Sequence, residues 1–289
     1  MSENPSENVF ELISNHYYDL TSSEKKIADY IITNPEQVQQ SGISDLADAC
    51  GTAMATISRF SRKIGYASFN AMRIAIAHAV SSKSGPSELL TGKVTMDDSF
   101  FEECQKIQTA DIAVITQTYD LINPEFYQQA VELLLNANKV VCMGQGGSVI
   151  IAMEAAHLFS TVSGKFSCVQ DNHMQVITLS NMNENDVLLY FSYSGSVRDM
   201  LDNFNLARKR GVKTILFTRF PKSPGAEIAD VVLQCGSSES PLQLGSIPAR
   251  ISQLFMLDII YSEYCRRDYE AARESRQRIA EAISEKHVE

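Results

Sequence analysis

Between Asp48 and Glu88 the chain has no acidic residue. The absence is local, because the 289-residue chain carries a formal charge of −10. The same window holds five bases, Arg59, Arg62, Lys63, Arg73 and Lys83, so one segment reverses the sign of the whole. An acidic surface repels nucleic acid, whereas a basic patch confined to one element docks phosphates there alone. Also missing is any run of about 18 apolar residues. The start, Met1-Ser2-Glu3-Asn4-Pro5, is acidic and polar. Neither a membrane span nor a secretory signal is expected. The six cysteines and five histidines are scattered, with no CxxC and no Cys/His cluster. Disulfides and zinc are therefore not expected, no metal site or cofactor is read, and the expected compartment is the cytoplasm.

With 44% apolar and 21% charged residues, a chain of this length accommodates two packed domains. Residues 1–80 are net −3 and residues 81–289 net −7. The N-terminal part is thus not basic as a whole, and any grip on DNA rests on one face, doubled by dimerisation.

Beneath the acid-free window lies a helical pattern. Leu46, Ala47 and Cys50 make one apolar stripe, Gly51 breaks it, and Ile57, Phe60 and Ile64 make a second. Two helices crossing steeply need a small residue at the contact (Ala47) and a left-handed turn residue four positions later (Gly51). The spacing predicts a helix-turn-helix, with Ile43 to Cys50 as first helix and Met54 to Ile64 as recognition helix. The outward face then shows Met54, Ala55, Ser58, Arg59, Arg62 and Lys63. Residues near the helix start reach base edges, and the bases toward its end grip phosphate. Thr52 and Thr56 offer hydroxyls to the DNA backbone. An alternative for Arg59 is a purely structural pair with Asp45 or Asp48.

The chain reads in sections: residues 1–80 all-helical, 81–100 a Ser/Gly/Pro-containing linker, 101–266 an α/β domain, and 267–289 a charged helix or tail. Thr21 to Glu24 has the form of a capping box, and Asn34-Pro35 ends that helix. Phe69, Met72, Ile76 and Val80 mark a closing helix. After helices from Phe101 to Leu121 and Pro124 to Asn136, strand-helix alternation begins at Lys139. Strands are expected at Val140–Met143, Phe166–Val169, Asp186–Phe191, Thr214–Thr218 and Val231–Cys235. Helices are expected to Ser160, over Arg198–Arg210, around Pro224–Ala229 and over Ile251–Tyr264. Apolar runs alternating with helices indicate a parallel sheet covered on both faces.

Two loops carry the second half's chemistry. Gly144-Gln145-Gly146-Gly147-Ser148 follows the first strand, where glycines permit close backbone approach and Ser148 caps a helix or binds a sugar hydroxyl. It is neither the full dinucleotide fingerprint nor a P-loop. Ser192-Tyr193-Ser194-Gly195-Ser196-Val197-Arg198 follows another strand and opens a helix, a cradle for a phosphomonoester without metal. An ordinary Ser-rich cap and turn has the same composition. Both loops belong at strand C-terminal ends, where open parallel sheets bind ligands.

The pairing of Leu46-Ala47…Gly51…Thr56-Ile57-Ser58-Arg59-Phe60 with Ser192-x-Ser194-Gly195 resembles the RpiR family of bacterial transcription regulators. So do Glu24 to Ile31, Lys63-Ile64-Gly65-Tyr66, Asp171…His173 and Ala229 to Leu233. The resemblance runs from about Glu7 to Arg266. It implies an N-terminal helix-turn-helix domain joined to a sugar isomerase (SIS) domain that senses phosphosugars, with repression the commoner mode. Three positions depart from the family. Ala53 replaces a capping serine, leaving Thr52 as the cap or none. Val197 replaces a threonine of the phosphate loop, with Ser196 or Arg198 to compensate. Pro248-Ala249-Arg250 replaces Ser-Ser-Arg, leaving Ser246 and Arg250 as candidates.

The expected function is a DNA-binding regulator, not an enzyme, acting as a homodimer or higher oligomer on a palindromic operator and away from membranes. Its phosphosugar effector occupies Gly144, Gly146, Ser148, Ser192, Ser194, Gly195 and Ser196, with Asp171, His173 and Arg250. The alternative is a sugar-phosphate isomerase or lyase on the same ligand, for which Glu154 and His173 offer base and acid.

Overall fold

A computed structural model of the chain describes residues 8–81, 94–236 and 247–284. Most of the expected linker, Ser246 and the last residues of the tail lie outside them. The described residues form two compact units, divided between Ala110 and Asp111.

The first unit is helical. It comprises α1 (Val9–His16), α2 (Ser22–Thr33), α3 (Pro35–Gln40), α4 (Ile43–Cys50), α5 (Met54–Lys63) and α6 (Phe69–Ser81). α2 opens on the expected capping box: Thr21 Oγ1 accepts from Glu24 N–H, and the Glu24 carboxylate accepts from Thr21 N–H at 2.8 Å. Pro35 then stands in the first turn of α3, where its missing N–H costs nothing. The core gathers Phe10, Ile13, Ile27, Ile31, Leu46, Ile57, Phe60, Ile64, Met72 and Ile76. At the end of α6 the buried position is Ala79; Val80 is only half-buried.

α7 (Phe100–Asp120) precedes α8 (Pro124–Asn136), with Pro124 in its first turn. The second unit then alternates β1 (Lys139–Gly144), α9 (Ser148–Ser160), β2 (Phe166–Cys168), α10 (Asn172–Ser180), β3 (Asp186–Phe191), α11 (Arg198–Arg210), β4 (Lys213–Thr218) and β5 (Val231–Gln234). α12 (Ile247–Arg267) and α13 (Tyr269–Ser284) follow. All strand pairs are parallel, in the order β2-β1-β3-β4-β5. Alternate residues feed two cores. Cys142, Leu189, Phe191 and Phe217 join α8, α9 and α12 on one face. Val141, Leu188, Tyr190 and Leu216 join α10 and α11 on the other. β3 is buried along its whole length, which is why it reads as a continuous apolar run.

Two local expectations fail. Pro224–Ala229 is a succession of turns, not a helix. Gly225 donates to the Gly195 carbonyl at 2.8 Å, and a Cβ there would lie 2.4 Å from Met200 Cε, so close packing fixes this backbone instead. Conversely, α10 arises where no helix is expected, capped by Asp171, whose Oδ1 accepts from Met174 N–H at 2.8 Å.

Candidate functional site

α4 ends at Gly51, whose backbone is left-handed (φ 60°, ψ 42°) and whose N–H donates to the carbonyls of Ala47 and Asp48. Ala53 is the N-cap of α5 and supplies no side-chain hydrogen bond. Thr52 does not take over, because its Oγ1 is buried without a partner. Of the two outcomes left open, Thr52 as cap or none, the described residues show none: no side-chain hydrogen bond caps α5.

α5 buries Ile57 and Phe60, with Ile64 just past its end. Met54, Ala55, Arg59 and Arg62 are exposed, while Thr56 and Ser58 are half-buried. Arg59 donates a 3.5 Å bond to Thr56 Oγ1 and, among the described residues, pairs with neither Asp45 nor Asp48. Arg62 Nε donates to the Ser58 carbonyl at 3.2 Å. Lys63 is different. Expected at a phosphate, its ammonium instead donates to the Asp19 carbonyl at 2.6 Å and to Glu24 Oε2 at 2.9 Å. Burial by itself would raise the Glu24 carboxyl. Hydrogen bonds from Thr21 N–H and the Lys63 ammonium outweigh it and hold the group below the ordinary glutamate range.

In the second unit, β1 and β3 lie side by side in register, ending with Gly144 opposite Phe191. The loops at Gly144–Ser148 and Ser192–Ser196 thus begin next to each other. The strand order reverses direction between β1 and β3, and ligands of open parallel sheets bind at such a switch point.

Gly144 is required by contact, since a Cβ would lie 2.8 Å from the Ser148 backbone. Gly146 has φ 53°. Ser148 does not cap α9: Gly147 is the N-cap, and the Ser148 hydroxyl makes no hydrogen bond among the described residues. In the other loop, Ser192 is buried and its Oγ accepts from Gly195 N–H at 3.2 Å. Ser194 Oγ accepts from Ser196 N–H at 3.4 Å. Gly195 has φ 60°. Val197 is the N-cap of α11; its carbonyl accepts from Leu201 N–H at 3.1 Å, and its side chain makes no cap bond. Arg198 Nε donates to Asp202 on the surface at 3.4 Å, and Ser196 is exposed.

The Asp171 carboxylate caps α10. His173 is exposed, and its imidazole makes no hydrogen bond among the described residues. Arg250 is half-buried in the first turn of α12. Glu154, offered for isomerase chemistry, lies on α9 at 3.7 Å from exposed His157. Among the described residues no His, Cys, Asp and Glu cluster could hold a metal ion, and no helix is long and apolar enough to cross a membrane.

A polar network beneath the crevice escapes the sequence reading. Tyr190 OH donates to Gln145 Oε1. Gln145 Nε2 donates to Gln175 Oε1 at 3.3 Å, and Asn203 Nδ2 donates to the same oxygen at 2.9 Å. Gln175 Nε2 donates to the Val169 carbonyl at 2.9 Å and the Gly144 carbonyl at 3.5 Å. Gln175, Asn203 and Tyr190 are buried, and the Asn203–Gln175 bond in particular is shielded from water. Burial also pushes the Tyr190 phenol well above its ordinary range. The network ties the β1 loop to α10 and α11. Ser223 also escapes a local reading: it is fully buried against Gly195, and its hydroxyl has no partner among the described residues.

The profile described as a helix-turn-helix domain of the rpiR family matches residues 7–83, and that of the SIS domain matches residues 133–262. The uncharacterized HTH-type transcriptional regulator TTE0211 of Caldanaerobacter subterraneus is 33% identical over 249 residues, covering 86% of this chain and 87% of that protein. The HTH-type transcriptional regulator HexR of Pseudomonas aeruginosa is 28% identical over 253 residues, covering 88% and 87%. Among solved structures, Vibrio vulnificus NanR complexed with ManNAc-6P matches with a TM-score of 0.64 at 24% identity, covering 98% of this chain and 100% of that one. The sugar isomerase domain of an RpiR transcription factor from Sphaerobacter thermophilus matches with a TM-score of 0.57 at 24% identity, covering 62% and 98%. These two structures share the fold. With a helix-turn-helix head, a SIS domain and a one-third-identical regulator matched over most of its length, the chain belongs to the RpiR family of transcriptional regulators.

Proposed function

We propose that the chain controls genes of sugar or amino-sugar metabolism, binding a palindromic operator as a homodimer and acting as a repressor. A phosphosugar in the β1/β3 crevice sets the operator affinity. The observation that carries this reading is the adjacency of the two glycine-hydroxyl loops at the point where the strand order reverses. Ser148, Ser194 and Ser196 supply hydroxyls to phosphate and sugar, with backbone N–H groups near Gly146 and Gly195. Ser192 shapes the loop from within, and His173 and Arg250 complete the ligand's surroundings. On the head, Met54, Ala55, Thr56 and Ser58 meet bases and backbone, while Arg59 and Arg62 grip phosphate; the buried Thr52 hydroxyl stays out of the contact. Residues 81–100 tether head to sensor.

A second copy covers the exposed apolar side chains of α9 and α10, Ile150, Met153, Met174, Val176 and Ile177, which are 42% to 50% exposed. We read the crevice as a sensor, not a catalyst, because the offered acid-base pair is poorly placed. Glu154 neighbours a surface histidine, and the exposed His173 imidazole makes no hydrogen bond among the described residues.

Thermal-shift screening tests the ligand side. The panel includes N-acetylated amino sugar phosphates, the class of the ManNAc-6P bound to NanR, with hexose and sugar-acid phosphates. One class should raise the melting temperature in proportion to occupancy, Ser194→Ala should remove that shift, and no member should be turned over. A panel without a stabilising member overturns the reading.

A further inference from the structure

The head carries a cationic hollow that joins Arg62 of the recognition helix to Arg73, a base with no role so far. A hollow of about 460 Å³ opens among Ser58 and Arg62 of α5, Ser68, Asn70 and Arg73 around the start of α6, and Gly42 before α4. Arg73 is held there: its Nη2 donates to Asn70 Oδ1 at 2.8 Å and its Nη1 to the Ser41 carbonyl at 3.1 Å. Two of its five N–H donors are used, and three remain. Among the described residues Arg62 uses only Nε, on the Ser58 carbonyl. Among the described residues neither guanidinium meets a carboxylate. The acid-free window supplies none, and Asp45, the acid beside Gly42, has its Oδ2 engaged by Gly42 N–H at 2.8 Å.

Two arginines around one hollow, neither paired with a carboxylate among the described residues, form an anion site. We propose that this hollow receives a phosphate of the DNA backbone, making Arg73 and Asn70 a second phosphate clamp beside the recognition helix. The assignment rests on the regulator reading above and deepens it. Its location favours duplex backbone over a free metabolite, because Ser58 and Arg62 belong at once to the hollow and to the outer face of α5. A recognition helix seated in a major groove lays the flanking backbone against that side. The clamp adds grip and orientation but no base preference.

Salt-dependent binding of the full-length chain tests the clamp, using a duplex selected by the wild-type protein from a random pool and an unrelated duplex of equal length. Arg73→Ala should weaken both by about tenfold and reduce the slope of log affinity against log salt by about 1, with the ratio between duplexes kept. Asn70→Asp leaves Arg73 in place and puts a carboxylate beside it; it should flatten the slope equally with the fold intact. Arg73→Lys should restore most of the slope. Wild-type binding with unchanged slopes in Arg73→Ala and Asn70→Asp overturns the clamp alone. A wild-type chain that binds no duplex overturns the clamp and the regulator reading together. If Asn70→Asp spares duplex binding but abolishes an inorganic phosphate titration followed by phosphorus NMR, the hollow is a small-anion site and the duplex assignment falls.

Discussion

Lys63 and Glu24, 39 residues apart in sequence, meet at 2.9 Å between the last turn of the recognition helix and the first turn of α2. The same carboxylate oxygen closes the Thr21 capping box. One acid thus starts one helix and anchors the end of another. A lysine that reads as a DNA contact from spacing also ties the head's internal framework together.

Lys63→Ala should therefore cost about 1 kcal/mol of stability and leave the salt slope of DNA binding unchanged. Arg59→Ala should do the reverse, lowering the slope by about 1 with little change in melting temperature. Denaturation and salt-dependent anisotropy on both variants check the pair.

The Glu24 carboxyl lies lower in the folded head than in the unfolded chain. Its stabilisation is then complete above the ordinary glutamate range and is lost as pH falls through the lowered folded value. Glu24→Gln should flatten that acid limb of the stability profile. A wild-type limb unchanged in Glu24→Gln would assign the acid sensitivity elsewhere.

Gly195 allows no side chain. Its φ is 60°, and a Cβ would lie 2.0 Å from Ser223 Oγ and 2.7 Å from Ser223 Cβ. Gly195→Ala should cost about 3 kcal/mol and abolish the ligand-induced thermal shift. Ser223→Ala should not rescue it, because the backbone strain and the Cβ contact persist.

Gln175 and Ser148 should separate stability from binding. Gln175→Leu removes the acceptor shared by Gln145 and Asn203 and the donor to Val169. It should cost about 3 kcal/mol and weaken the ligand. Ser148→Ala should change stability by less than about 0.5 kcal/mol, because no hydrogen bond among the described residues is lost, yet reduce the ligand-induced shift.

What the sequence reveals is what neighbours in sequence determine. Asp186–Phe191 shows itself by unbroken apolarity, and Ile43–Cys50 with Gly51 by spacing and one left-handed glycine. The order β2-β1-β3-β4-β5 depends on long-range pairing that no local pattern carries. α10 escapes because Met174, Val176 and Ile177 are exposed and blur its stripe. Gln145, Gln175 and Asn203 sit on three separate elements, and only the fold turns them into one network. Pro224–Ala229 misleads because the contact that decides it, Gly225 on Gly195, lies 30 residues away in sequence.

The most direct test is duplex affinity with and without the sugar phosphate that stabilises the chain. The account predicts a change of at least about fivefold, with the duplex altering sugar affinity by the same factor. Equal duplex affinity with the crevice empty and saturated would contradict it.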